Sequence, residues 1–144
     1  MDTNFIEFQN IYNKDPFCVS TSLNGTAAAE VGNFGIFFTA LRACEVSNAA
    51  VVYQTASGTA NSLLNLEKLT GVQGLDGGVT VFSSTVNLNS SANTVIYPSL
   101  TLTTANKRLE RGDRLALSDS GNMNNLAGLN VVVQLKPIGK GHYN

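Results

Sequence analysis

The chain has 144 residues, enough for one domain with a substantial core and too few for two. Hydrophobic residues make up 43%, which excludes wholesale disorder, while charged residues reach only 13%, about half the usual share. With a net charge of −1 and no basic face to neutralise a run of phosphates, no nucleic-acid partner is expected. A surface of amides and hydroxyls with so little self-repulsion suits a protein packed against others.

The first residues lack both a basic leader and an apolar segment, so no export signal is expected. No apolar run approaches the ~20 residues of a membrane helix, and no membrane partner is expected. Residues 1–17 interleave Phe5, Ile6, Phe8, Ile11, Tyr12 and Phe17 with polar side chains, and Pro16 forces an extended approach to the next segment. Their spacing is neither helical nor alternating. They read either as a first strand or short helix over the domain's own core, or as an extended arm that lays these six anchors into a partner.

From Cys18 onward short strands dominate. Cys18-Val19-Ser20-Thr21 predicts a strand ending at the Asn24-Gly25 turn signal, and 27–31 a strand or short turn. The most apolar run, 34–41, predicts a strand through the middle of a sheet. Ala50-Val51-Val52-Tyr53 is a second strongly β-prone run. After a loop at Ser57-Gly58, residues 63–69 predict a strand with a polar face, and 71–78 an exposed glycine-rich loop at a rim. Residues 79–82, 86–88 and 94–97 continue the pattern, the last two flanking a turn at 89–93.

Residues 100–117 are the most heavily patterned stretch. Leu100-Thr101-Leu102-Thr103 and Leu115-Ala116-Leu117 alternate at period two, which places their leucines in a core. Between them Gly112-Asp113 supplies hairpin-turn chemistry, which accounts for the Arg-Gly-Asp tripeptide without an adhesive role. Arg108, Arg111 and Arg114 with Glu110 and Asp113 are candidates for bidentate ion pairs at a subunit contact. Residues 119–125 form a polar loop, 129–135 the last strand, and 139–144 a loose tail.

About eight short strands separated by Gly- and Asn-rich turns predict an all-β fold, an antiparallel β-sandwich of jelly-roll-like type. The expected division is an extended N-terminal arm (1–17), the sandwich (18–138) and a C-terminal tail (139–144). Catalytic chemistry is not expected. The single histidine, His142, sits in the glycine-flanked tail, and no Gly-x-Ser-x-Gly elbow occurs. Glu67, Asp76, Glu110, Asp113 and Asp119 read as solvated surface charges. Gly74, Gly77 and Gly78 lack the following helix and Lys-Ser/Thr pair of a phosphate cradle. Cys18 and Cys44 read as two free, partly buried thiols in preference to a disulfide, and neither a metal nor a cofactor is implied.

The block 63–135 resembles a pattern of tailed-phage virion proteins. Its residues are Leu66-Glu67-Lys68-Leu69-Thr70-Gly71 before the glycine-rich loop, then Asn87-Leu88 and Ala92-Asn93-Thr94-Val95. Leu109 to Leu117 (LERGDRLAL) and Leu126 to Val133 (LAGLNVVV) complete it. The resemblance covers about half the chain and is to capsid decoration, or cement, proteins and appendage proteins, including those of cyanophages. It implies a trimeric β-sandwich on the capsid exterior, made in the host cytoplasm, whose partners are the major capsid protein and its own copies. The arm lies outside the matching block. An alternative is a receptor- or glycan-binding fibre head, with loops 71–78 and 119–125 holding the ligand.

Overall fold

The structure, a computed structural model, describes residues 15–26, 35–58 and 60–139. Its organising strand is β9 (Ala127–Pro137), in which Leu129, Val131, Val133 and Leu135 are buried and the residues between them are only partly covered. Strict alternation of β-branched and leucine side chains makes this a strand with one face in the core. It pairs antiparallel with β1 (Phe17–Thr26) on one side and β3 (Cys44–Val52) on the other, and β3 pairs with β7 (Arg108–Leu109). These four strands form sheet A in the order β1-β9-β3-β7.

Sheet B has the order β2-β8-β4-β5, from β2 (Ile36–Thr39), β8 (Arg114–Ser120), β4 (Leu63–Leu69) and β5 (Val79–Thr80); β6 (Val86–Asn87) pairs β4 off this path. With β6 set aside, successive strands cross from one sheet to the other except at the β4–β5 hairpin. This is the double Greek key of a jelly roll, as the sequence predicts. The one helix among the described residues, α1 (Thr104–Lys107), is a single turn ahead of β7. The core between the sheets holds Val46, Val51 and Tyr53 of the β3 region, Leu64 and Leu66 of β4, Leu115 and Leu117 of β8, and the four β9 side chains. In β3 the register shifts between Val46 and Asn48. That extra residue resets the parity, so Cys44 and Val46 before it and Ala49 and Val51 after it all point inward.

Several local expectations are corrected. Residues 36–39 form β2 at the edge of sheet B, not its middle, and Ile36 remains 47% exposed. Asn24-Gly25 makes no turn: β1 runs through it, with a register shift between Leu23 and Thr26 opposite β9. Of 100–103 only Leu100 pairs, in an isolated bridge to Phe82, and Leu102 is exposed rather than core. Gly112-Asp113 does sit in a turn, with Gly112 at φ +95°, a conformation that suits glycine. It is not a hairpin turn, because β7 belongs to sheet A and β8 to sheet B.

The polar side of β4 is also not a solvent face. Asn65 and Glu67 are buried where the loop 70–78 folds back onto Glu67 and the backbone at Phe82 meets Asn65. Asn65 Oδ1 accepts the backbone N–H groups of Leu66 and Phe82, at 2.8 and 3.2 Å. Glu67 accepts the N–H of Asp76 on Oε2 at 2.8 Å and that of Gly78 on Oε1 at 3.1 Å. A buried carboxylate requires such partners. Gly78 has no alternative here, since a Cβ would collide with the carbonyl oxygen of Lys68.

Candidate interaction surfaces

The strand ends gather into two poles. At the first, the register places Thr39 and Leu69 beside Arg114 in sheet B. In sheet A, Phe17 lies beside Leu135, and Cys44 beside both Leu109 and Pro137. This pole therefore carries the turn 40–43, the root of the loop 70–78, the turn 110–113, the start of β1 and the end of β9. Hydrogen bonds lock the turns together. Ala40 N–H donates to Asp113 O and Gly112 N–H to Ala40 O, each at 2.8 Å. Arg114 donates from its two terminal nitrogens to Gln73 O at 3.2 Å and Gly71 O at 2.8 Å. Ile138 N–H donates to Ala43 O at 3.0 Å. Among the described residues, the opposite pole is made of 54–58, 60–62, 88–93 and 121–126, where Ser57 Oγ donates to Ser62 Oγ and Ser62 Oγ to Asn122 O, each at 2.6 Å.

Of the predicted anchors, Phe5, Ile6, Phe8, Ile11 and Tyr12 lie outside the described residues. Phe17 opens β1 at the first pole, 36% exposed, its ring tilted against that of Phe38 with centroids 6.1 Å apart. The charged set lies at or behind the same pole, with partners inside the chain. Arg108 Nε donates to Glu110 Oε2 at 2.6 Å, both side chains well exposed, and Asp113 Oδ2 accepts the Glu110 N–H at 2.9 Å. The Asp113 carboxylate thus closes its own turn, Arg114 braces the loop 70–73, and Arg111 is exposed at the turn's tip. Within this set the arginines make one single-contact ion pair and two carbonyl contacts; no two of the five residues form a bidentate pair.

Two carboxylates are not the solvated charges that their position in sequence suggests. Glu67 fastens the loop 70–78 from beneath. Asp119 pairs opposite Leu64 and points inward with Leu115 and Leu117, and neither of its carboxylate oxygens has a hydrogen-bond partner among the described residues. Burial pushes its pKa up to about 6; its own backbone N–H opposes this and the charge of Asp76 adds to it. Glu67 falls on the polar parity of β4, where nothing in a single sequence distinguishes a covered face from a wet one, whereas Asp119 shares the parity of Leu115 and Leu117.

Cys18 and Cys44 are free thiols, the first exposed and the second buried. A groove of about 140 Å³ on sheet A is lined by Cys18, Asn48, Ala49, Ala50, Tyr97, Val132 and Gln134. It is walled by small apolar and amide groups and brings no acid–base pair together. Among the described residues no group of three His, Cys, Asp or Glu could hold a metal ion, and no helix is long and apolar enough to cross a membrane. The loops 71–78 and 121–125 lie at opposite ends of β8, so they do not enclose a common pocket.

No protein-family model and no curated protein matches the sequence. Two solved structures share the fold. The chain is similar to one in the capsid of Ralstonia phage GP4, with a TM-score of 0.63 and 13% identity over 88% of this chain and 85% of that one. It is also similar to one in the cyanophage Pam1 capsid asymmetric unit, with a TM-score of 0.51 and 10% identity over 88% and 86%. At such identities the likeness establishes a jelly-roll architecture shared with chains of phage capsids, matched over nearly the whole of each chain.

Proposed function

We propose that this chain is a structural virion protein, a decoration or cement protein that binds the exterior of a phage head and stabilises contacts between major capsid protein subunits. The observation that carries this reading is the jelly roll that matches 88% of this chain to 85% of a phage capsid chain. The low-charge, amide-rich composition supports it. The protein acts as a homotrimer, made in the host cytoplasm and carried on the virion. Residues 1–17 form the arm, 18–138 the sandwich and 139–144 the tail. Phe5, Ile6, Phe8, Ile11, Tyr12 and Phe17 anchor the arm in a capsid subunit by burying aromatic and aliphatic surface. Three arms on one trimer multiply modest contacts through effective concentration. The turn holding Glu110, Arg111 and Asp113, flanked by Arg108 and Arg114, lies at a subunit contact.

The test is co-sedimentation with shells purified from virus that lacks this protein. The full chain is expected to pellet with shells and to have in solution three times the 15.2 kDa mass of one chain. Deletion of residues 1–15 should abolish pelleting and leave that mass, less the deleted residues, intact. A truncated chain that binds shells as well as the full one overturns the arm's role. A full chain that never pellets overturns the decoration reading.

A further inference from the structure

We infer that the first pole, and specifically Leu41 and Val72 on its locked turns, is the surface that seats on the capsid shell; this rests on the decoration reading. The two poles differ in what they present. Leu41 is 81% exposed and Val72 fully so, and Phe17 adds a partly exposed ring at the same end of the sandwich. The described turns of the opposite pole, 54–58, 60–62, 88–93 and 121–126, carry no exposed large hydrophobic side chain, their Leu88, Met123 and Leu126 being buried. Large apolar side chains held fully in water mark contact sites when the backbone beneath them is rigid, because little entropy remains to be lost on docking.

That rigidity is built from named bonds. The turn 40–43 is held to 110–113 by the paired Ala40 hydrogen bonds, and the Val72 loop by Arg114 from one side and Glu67 from beneath. Thr70 N–H and Oγ1 both donate to Gln73 Oε1, which closes the chain around Val72. The polar rim is supplied by the exposed Arg111 and by Glu110 with its Arg108 partner. A partner fitted to this pole offers apolar sockets ringed by hydrogen-bonding and weakly charged groups, the make-up of a protein surface.

The choice of the shell as occupant rests on where the chain enters the fold. Asp15 and Phe17 stand at this pole, so residues 1–14, with their five bulky anchors, depart from it. Fourteen extended residues span at most about 45–50 Å. An arm bound to the shell is thus tethered at this pole, which favours it over the other as the face that seats there.

The experiment uses the full chain and the same shells lacking this protein. Leu41→Glu with Val72→Glu should weaken binding at least tenfold, while Asn124→Glu at the opposite pole changes it less than twofold. Leu41→Ala with Val72→Ala serves as the milder pair and should give an intermediate loss. All variants should keep the melting temperature and solution mass of the parent, since these side chains make little contact within the fold. Binding that survives both pole pairs, yet is lost on deleting residues 1–15, overturns the pole and leaves the decoration reading standing. Pole variants that fall apart into single chains assign the surface to self-association and overturn it likewise. A parent chain that does not bind shells overturns both readings together.

Discussion

The two sheets of the sandwich treat their polar groups differently. Sheet A keeps its polar side chains on the outside: β9 alternates buried and half-covered residues without exception from Leu129 to Leu135. Sheet B packs on the core with one face, carries the loop 70–78 against Glu67 on the other, and buries Asn65, Glu67 and Asp119. Asn65 and Glu67 are satisfied by backbone N–H groups; Asp119 is not. The difference shows how one jelly roll can use a sheet twice, once to close the core and once as a base on which a loop is fastened.

Substitutions can sharpen that contrast. The largest effect is expected in sheet A, where Leu135→Ala should cost about 2–5 kcal/mol through lost burial and a cavity, measured as a lower denaturation midpoint. Nothing specific should happen to the loop 70–78. Glu67→Ala in sheet B should cost about 1–3 kcal/mol, because the partly buried Asp76 and Gly78 amide bonds lose their charged acceptor. Here the signature is local: amide hydrogen exchange at Asp76 and Gly78 should accelerate more than at Val131 or Val133. Equal acceleration in both sheets would erase the distinction.

Asp119 should respond with the opposite sign. Its folded pKa of about 6 lies above the ordinary value of 3.8, so the ionised form weakens the fold. Stability should therefore be highest below about pH 4, fall as pH rises to about 6, and stay level above that. Asp119→Asn should remove this slope and raise stability at pH 8 by about 1–3 kcal/mol, read from melting temperature against pH. A variant that keeps the slope would place the titration elsewhere. The smallest effect is expected at the exposed ion pair, where Glu110→Gln should change stability by less than about 1 kcal/mol and lose even that at high salt.

How much of this is legible from the amino acids divides along the same line. The strands of sheet A announce themselves because one face is dry and the other wet, so β3 and β9 stand where alternation and β-branched residues put them. In sheet B the signal fails for physical reasons. Residues 36–39 are apolar enough for a central strand yet sit at an edge, where flank packing of Phe38 on Phe17 explains the composition. Glu67 looks like a surface carboxylate until the glycine-rich loop, which carries no periodicity, is known to fold back over it. Gly112-Asp113 is readable as a turn from its chemistry, whereas its crossing between sheets depends on pairing partners distant in sequence. The bulge beside Asn48 likewise leaves no local mark beyond the change of parity between Val46 and Ala49. Of the site, the bulky N-terminal residues and the charged turn stand out by composition. Leu41 and Val72 do not, because an isolated apolar residue in a turn acquires meaning only when its neighbours fail to cover it.

The two cysteines turn the fold into its own reporter. Cys44 is fully buried, and burial, against the opposing charge of Arg42 and with a smaller push from Asp113 and Glu110, raises its thiol to about 11, whereas Cys18 faces solvent from the outer side of β1. A thiol-reactive label at neutral pH should therefore add one equivalent per native chain, and the second equivalent should appear only at the rate at which β3 opens. Counting labels by mass would then time the release of the central strands directly, in free protein and on particles alike, with no engineered probe.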